Sequence, residues 1–238
     1  MDRKRFLECL QMMAGTFGIL FLFYRNFIFV FLLGIPLLLF RYHKKKKRWR
    51  EDRRWRLNLE FKEGLQGIAA ALNAGYSVEN ALEESRKDLE VLYGKDSLLC
   101  REFEIMQSQL CLNQPIEMVF EEFARRSGVE DIRSFSEVFR TARRSGGDLV
   151  AITRTSAQRI GEKIEVSREI KTMIAGKQME GQVMNVVPLG MILYFWICSP
   201  GFLDCFYQTL WGRVIMTVFL AVYLLAYEMN QKICRIQI

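Results

Sequence analysis

Two apolar stretches bracket a long polar segment whose own apolar residues recur at helical spacing. Residues 10–40 carry one charge, Arg25, and residues 183–198 and 210–227 are again apolar with one charge, Arg213. As a single helix the first stretch extends about 46 Å, well beyond a hydrocarbon core of about 30 Å, so we expect it to fold back at Tyr24-Arg25-Asn26. Ser199-Pro200-Gly201 divides the second stretch in the same way, since Pro-Gly dipeptides mark turns. The pattern predicts a transmembrane hairpin over 1–40 and another over 183–228, with a short tail over 229–238.

Between them, 57–182 reads as six amphipathic helices in an antiparallel bundle. Phe61, Leu65, Ile68 and Leu72 step by 4, 3, 4, and the helix they define stops at Asn73-Ala74-Gly75. Ser77 restarts the chain as an N-cap ahead of Val78, Leu82, Leu89 and Leu92, and Gly94 ends that helix. Leu99, Phe103, Met106 and Leu110 mark a third helix. Pro115 opens a fourth, which buries Ile116, Val119, Phe120 and Phe123 and ends near Ser127-Gly128. Ile132, Phe135, Phe139 and Ala142 mark a fifth, closed by Gly146-Gly147. Asp148 caps a sixth that runs through Ile160, Ile164 and Ile174 towards the second hairpin without meeting a proline before Pro188. Pro188 is expected to kink that span. Only four prolines and 16 glycines punctuate 238 residues, which argues against a turn-rich all-β chain and leaves an all-α fold.

Charge sets the orientation. Net charge is +7, and 41–56 alone holds ten basic residues and two acidic ones, so the remainder sums to −1. Lys44, Lys45, Lys46, Lys47 and Arg48, with Trp49, follow the first hairpin directly. Arg3, Lys4 and Arg5 precede it, and Lys232 and Arg235 follow the second. Basic flanks stay on the cytoplasmic side, so both termini and the central bundle are expected there, in a multi-pass inner-membrane protein. The same cluster next to Trp49 and Trp55 would suit nucleic acid in another setting. Directly after a membrane helix it reads as a lipid anchor, and no nucleic-acid partner is expected.

No phosphate-binding glycine loop, dinucleotide fingerprint, zinc-protease helix motif or nucleophile elbow occurs. His43, the one histidine, sits among lysines, and the six cysteines show no metal-ligand spacing. No enzyme activity, metal or cofactor is expected.

Five segments taken in order resemble a known family: Leu72-Asn73-Ala74-Gly75-Tyr76-Ser77-Val78, then Glu121-Glu122-Phe123-Ala124-Arg125-Arg126-Ser127, Ser145-Gly146-Gly147-Asp148-Leu149, Ala175-Gly176-Lys177-Gln178-Met179-Glu180-Gly181, and Pro188. Their order and spacing resemble the type II secretion system F domain, and most of all its TadB and TadC members from tight-adherence (Flp) pili. The resemblance implies a cytoplasmic helical bundle that docks on a hexameric secretion ATPase, and membrane helices that form a platform for extracting and assembling prepilin and pilin subunits. It also implies a second F-domain platform protein or a homodimer, because general-secretion members carry two such domains where this chain carries one. Gly75, Tyr76, Ser77, Gly146 and Gly147 match the family's turn positions. Arg140, Arg143, Arg144 and Asp148 surround the last of these turns and are candidate contacts to the ATPase. A membrane-tethered signalling adaptor, whose bundle recruits a cytosolic partner, is the alternative.

Overall fold

The computed structural model describes residues 27–199 and 209–233, with the isolated positions 13, 17, 18 and 201. All regular structure among the described residues is helical: α1 (Phe27–Asn73), α2 (Val78–Tyr93), α3 (Leu98–Cys111), α4 (Ile116–Ser127), α5 (Glu130–Ser145), α6 (Leu149–Cys198) and α7 (Leu210–Ile233). The chain divides into a body, Lys47–Arg168, and a second unit made of Met1–Lys46 with Glu169–Ile238. Both α1 and α6 contribute residues to each unit.

Helix boundaries in the body follow local chemistry. The Ser77 hydroxyl accepts a hydrogen bond from Asn80 N–H at 3.3 Å, and that of Ser97 accepts from Cys100 N–H at 3.0 Å, each satisfying an orphan donor of the first turn. Asp148 Oδ1 does the same for Ala151 N–H at 3.0 Å. Pro115 occupies the N-cap position of α4 and not its first turn. Gly75 (φ 90°) and Gly146 (φ 69°) close α1 and α5 in a region of backbone space that a Cβ disfavours.

The expected apolar stripes meet in one core. Phe61, Leu65, Ile68, Leu82, Leu89, Leu99, Phe103, Met106, Phe120, Phe123 and Phe139 are all essentially inaccessible to solvent. Phe61 from α1, Phe120 and Phe123 from α4, and Phe135 and Phe139 from α5 form a connected ring cluster with centroids 4.8–5.9 Å apart. These are tilted and edge-on arrangements, which favour aromatic pairs beyond simple burial. Leu92 departs from expectation. It is 66% exposed, because it falls on the outer side of the last turn of α2, one turn beyond the buried Leu89.

Three contacts between helices have no counterpart in the periodic pattern. Gly64 allows α1 to approach its neighbours: a Cβ there would lie 2.7 Å from Leu99 Cδ2, and the Ser85 hydroxyl donates to the Gly64 carbonyl at 2.8 Å. Asp131 on α5 joins three helices, accepting from the Asn58 amide of α1 at 2.7 Å and from Lys163 Nζ of α6 at 2.8 Å. Glu60 reaches from α1 to accept the buried N–H of Leu99 at 2.8 Å.

Burial raises the Glu60 pKa above its ordinary value, opposed by hydrogen bonds from the backbone N–H of Leu99 and Leu98 and by the nearby charge of Arg56. A carboxyl whose folded pKa is raised contributes stability below its unfolded pKa and loses that contribution as pH rises through the folded value. Glu60→Gln keeps an acceptor for Leu99 N–H but cannot ionise. Its stability relative to wild type is therefore expected to improve between pH 4 and pH 7 in matched denaturation curves, and a difference that stays flat with pH would contradict the assignment.

In the second unit, α6 is the one helix among the described residues long and apolar enough to cross a membrane, and the apolar part of α7, Val214–Asn230, is shorter. Pro188 lies inside α6. Residues 27–40 are helical as the start of α1, and the helix continues through the basic segment 41–56. The turn expected at Tyr24-Arg25-Asn26, most of the first span, and the second turn from Pro200, apart from Gly201, lie outside the described residues.

Candidate partner surface at one end of the body

Three sequence-distant segments meet at one end of the body: the α1–α2 turn, the start of α4 and the α5–α6 turn. Arg143 in the last turn of α5 ties them together. Its Nε lies 3.0 Å from Glu117 Oε1 in the first turn of α4, and its Nη1 lies 3.7 Å from Glu79 Oε1 in the first turn of α2. Acids at helix starts and a cation at a helix end each sit where the peptide dipoles favour them. Asn73 and Val150 line one trough between α1 and α6, which brings the α1–α2 and α5–α6 turns side by side.

Of the candidate contact residues, most are engaged within the body. Arg143 is held by its two carboxylates, Asp148 caps α6, and Arg140 Nη1 pairs with Glu121 Oε2 at 3.2 Å across the groove between α4 and α5. The other cations lining that groove are paired too, Arg125 with Glu122 and Arg133 with Glu137. The groove therefore neutralises itself. Arg144 is exposed and makes no ion pair among the described residues, and Tyr76, half exposed on the α1–α2 turn, presents an aromatic ring to solvent. Gly75, Ser77, Gly146 and Gly147 are the exposed backbone between them. An exposed cation, an exposed ring and open turn backbone at one end of the body suit a protein partner with an acidic, hydrogen-bonding face.

Glu117 is not singled out by the sequence, and Glu79 stands out there only as an acid in an early helix turn, although both build this end. The signal was present: each is an acid in the first turn after a helix-start residue, Ser77 and Pro115, and such acids attract a cation from a neighbouring helix end.

The basic segment divides by position. Lys46, Lys47 and Arg48 are exposed and Lys45 and Trp49 half-buried on α1, with Lys44 in the same helix. Trp55 instead packs against the core of the body, and the Arg54 guanidinium closes on Gly128, where a Cβ would lie 2.7 Å from Nη2. Trp55 therefore serves the body, unlike Trp49, which is half-buried further up α1.

No curated protein and no solved structure matches the chain. Residues 62–197 match the family described as type II secretion system (T2SS), protein F. The match begins within α1, takes in α2 to α5 whole and ends one residue before the end of α6, so it covers nearly all of the body and the long helix that leaves it. With more than half of its 238 residues matched, the chain belongs to the type II secretion system protein F family.

Proposed function

We propose that this chain is an inner-membrane platform protein of a type II secretion or Flp (Tad) pilus machine, similar to TadB and TadC. In this reading it couples a cytoplasmic hexameric ATPase to the extraction and assembly of pilin subunits. The match across residues 62–197 is the observation that carries the reading. The body is a coupling element and catalyses nothing itself. It pairs with a second F-domain platform protein or with another copy of itself, and both hairpins cross the membrane with the body and termini in the cytoplasm.

Lipid contact falls to part of the basic segment. A helix leaving the bilayer at Arg41 climbs about 22 Å by Arg56, nearly three Debye lengths at physiological salt. Lys44–Arg48 with Trp49 therefore meet anionic headgroups, while Arg54 and Trp55 belong to the body.

The ATPase is assigned to the end that carries Tyr76 and Arg144. Full-length protein in detergent should retain the hexameric ATPase on an affinity column. Arg144→Glu should weaken that complex roughly tenfold, about 1.4 kcal/mol, by placing a like charge against an acidic face. No retention of the ATPase by wild-type protein, with the other platform components present, would contradict the function. Retention that Arg144→Glu and Tyr76→Ala both leave unchanged would contradict the docking surface.

A further inference from the structure

We propose that Tyr223 and Asn230 latch α7 onto the turns of α6 that precede Pro188, so that the two helices of the C-terminal hairpin move as one body.

The register comes first. On α7 the buried positions are Gly212, Met216 and Leu220, followed by half-buried Tyr223, Leu224, Tyr227 and Asn230. On α6 the half-buried positions are Ile174, Gly181, Asn185, Leu189 and Ile192. An antiparallel alignment brings these stripes together, with Tyr223 at the level of Asn185 and Asn230 at that of Gly181. Two hydrogen bonds fix that alignment at its polar end: Tyr223 O–H donates to the Asn185 carbonyl at 3.1 Å, and Asn230 Nδ2 donates to the Gly181 carbonyl at 2.9 Å.

The chemistry explains why these groups meet. In an apolar span a phenol or amide donor has no water to turn to, and a backbone carbonyl of the neighbouring helix, with two lone pairs, is an available acceptor. Pro188 has no N–H, so the Met184 carbonyl one turn earlier loses its helical donor, and the ring crowds the backbone around it. Tyr223 binds at the adjacent Asn185 carbonyl, and thus braces the helix where proline weakens it. Gly181 supplies the second seat. A Cβ there would lie 2.6 Å from both Asn230 Oδ1 and Nδ2, so any side chain at 181 would push the Asn230 amide off its present seat on the α6 backbone. This also accounts for the glycine that ends the segment 175–181.

Two bonds about two turns of α7 apart resist both sliding and rotation of one helix on the other, whereas packing of Met216 and Leu220 alone leaves rotation soft. The inference stands on the hairpin and does not depend on the partner of the body.

Full-length protein in lipid nanodiscs, with its six cysteines replaced by alanine, would be spin-labelled at the exposed positions Met191 and Val218. Wild type should give a single narrow distance between the labels. Tyr223→Phe with Asn230→Leu, which keeps the span apolar and nearly isosteric, should lose that single distance and give a broad distribution. Gly181→Ala should broaden the distribution on its own but add nothing in the Asn230→Leu background, because the amide it displaces is already gone. A narrow distance retained by the Tyr223→Phe, Asn230→Leu variant would overturn the latch. So would a Gly181→Ala effect of equal size in both backgrounds.

Discussion

Phe120→Ala is expected to lower the unfolding free energy of the body by about 3–5 kcal/mol, a large share of the roughly 5–15 kcal/mol by which a domain is stable. Phe120 is 1% exposed and touches two rings of α5, Phe135 at 5.4 Å and Phe139 at 4.8 Å between centroids. Removing it takes away the transferred surface, two aromatic contacts and the support that holds α4 against α5, and it leaves a void lined by rings too rigid to collapse into it. Denaturation of the full-length protein in detergent, followed by far-ultraviolet circular dichroism, measures the loss. Val138→Ala on the exposed side of α5 is the control and should change stability by less than about 0.5 kcal/mol. Equal effects at the two positions would mean that the ring cluster is not the centre of the core.

Asp131→Ala is expected to cost about 2–3 kcal/mol, from the loss of charge-assisted hydrogen bonds and the stranding of a buried amide. The carboxylate joins α1, α5 and α6. Asn58 is only 8% exposed and its Oδ1 already lacks a partner, so without Asp131 the whole amide would be buried unpaired. The Lys163 arm counts for less, because that side chain is 51% exposed and water screens it. Asp131→Asn separates the two contributions. It keeps an acceptor for Asn58 and gives up the ion pair, so it should cost under about 1 kcal/mol in the same denaturation assay. If Asp131→Asn proved as damaging as Asp131→Ala, the Lys163 pair would be the main contribution and the Asn58 contact would be secondary.

The boundaries of the helices were readable because they are local decisions. Ser77, Gly94, Gly128, Gly146 and Asp148 each act on backbone groups within a turn of themselves, so their effect is written in adjacent residues. The spacing of Phe61, Leu65 and Ile68 likewise says which face of α1 is buried. Periodicity does not say which helix lies against that face. Glu60 capping α3 from 39 residues away, Asp131 holding Asn58 and Lys163, and Ser85 donating to the Gly64 carbonyl depend on three-dimensional neighbours that no single-helix pattern encodes. Leu92 shows the limit from the other direction, since it continues the apolar pattern of α2 past the point where any neighbour remains to cover it.

The same distinction governs the candidate site. The turn glycines and the arginines near residue 145 stood out as a sequence cluster, yet their individual duties differ. Arg143 and Asp148 hold the fold at that end, Arg140 pairs across a groove, and Arg144 is exposed without an ion pair among the described residues. Motif spacing picked out the cluster, and only the ion-pair geometry separated the charges engaged within the body from the exposed one. At the other end of α6, Gly181 and Pro188 were visible in the sequence while Asn230 and Tyr223, which give them meaning, lie beyond a turn in another helix.

A motor in the cytosol can act on this protein only if the body lies in the cytosol. The loop between α3 and α4, with Leu112 75% exposed and Asn113 in a left-handed conformation, accepts an inserted reporter without disturbing the core. Alkaline phosphatase placed there should be inactive in intact cells while a fluorescent protein at the same position matures and fluoresces. Active phosphatase with a dark fluorescent protein would put the body outside the cytoplasm and contradict the coupling of a cytosolic ATPase to this platform.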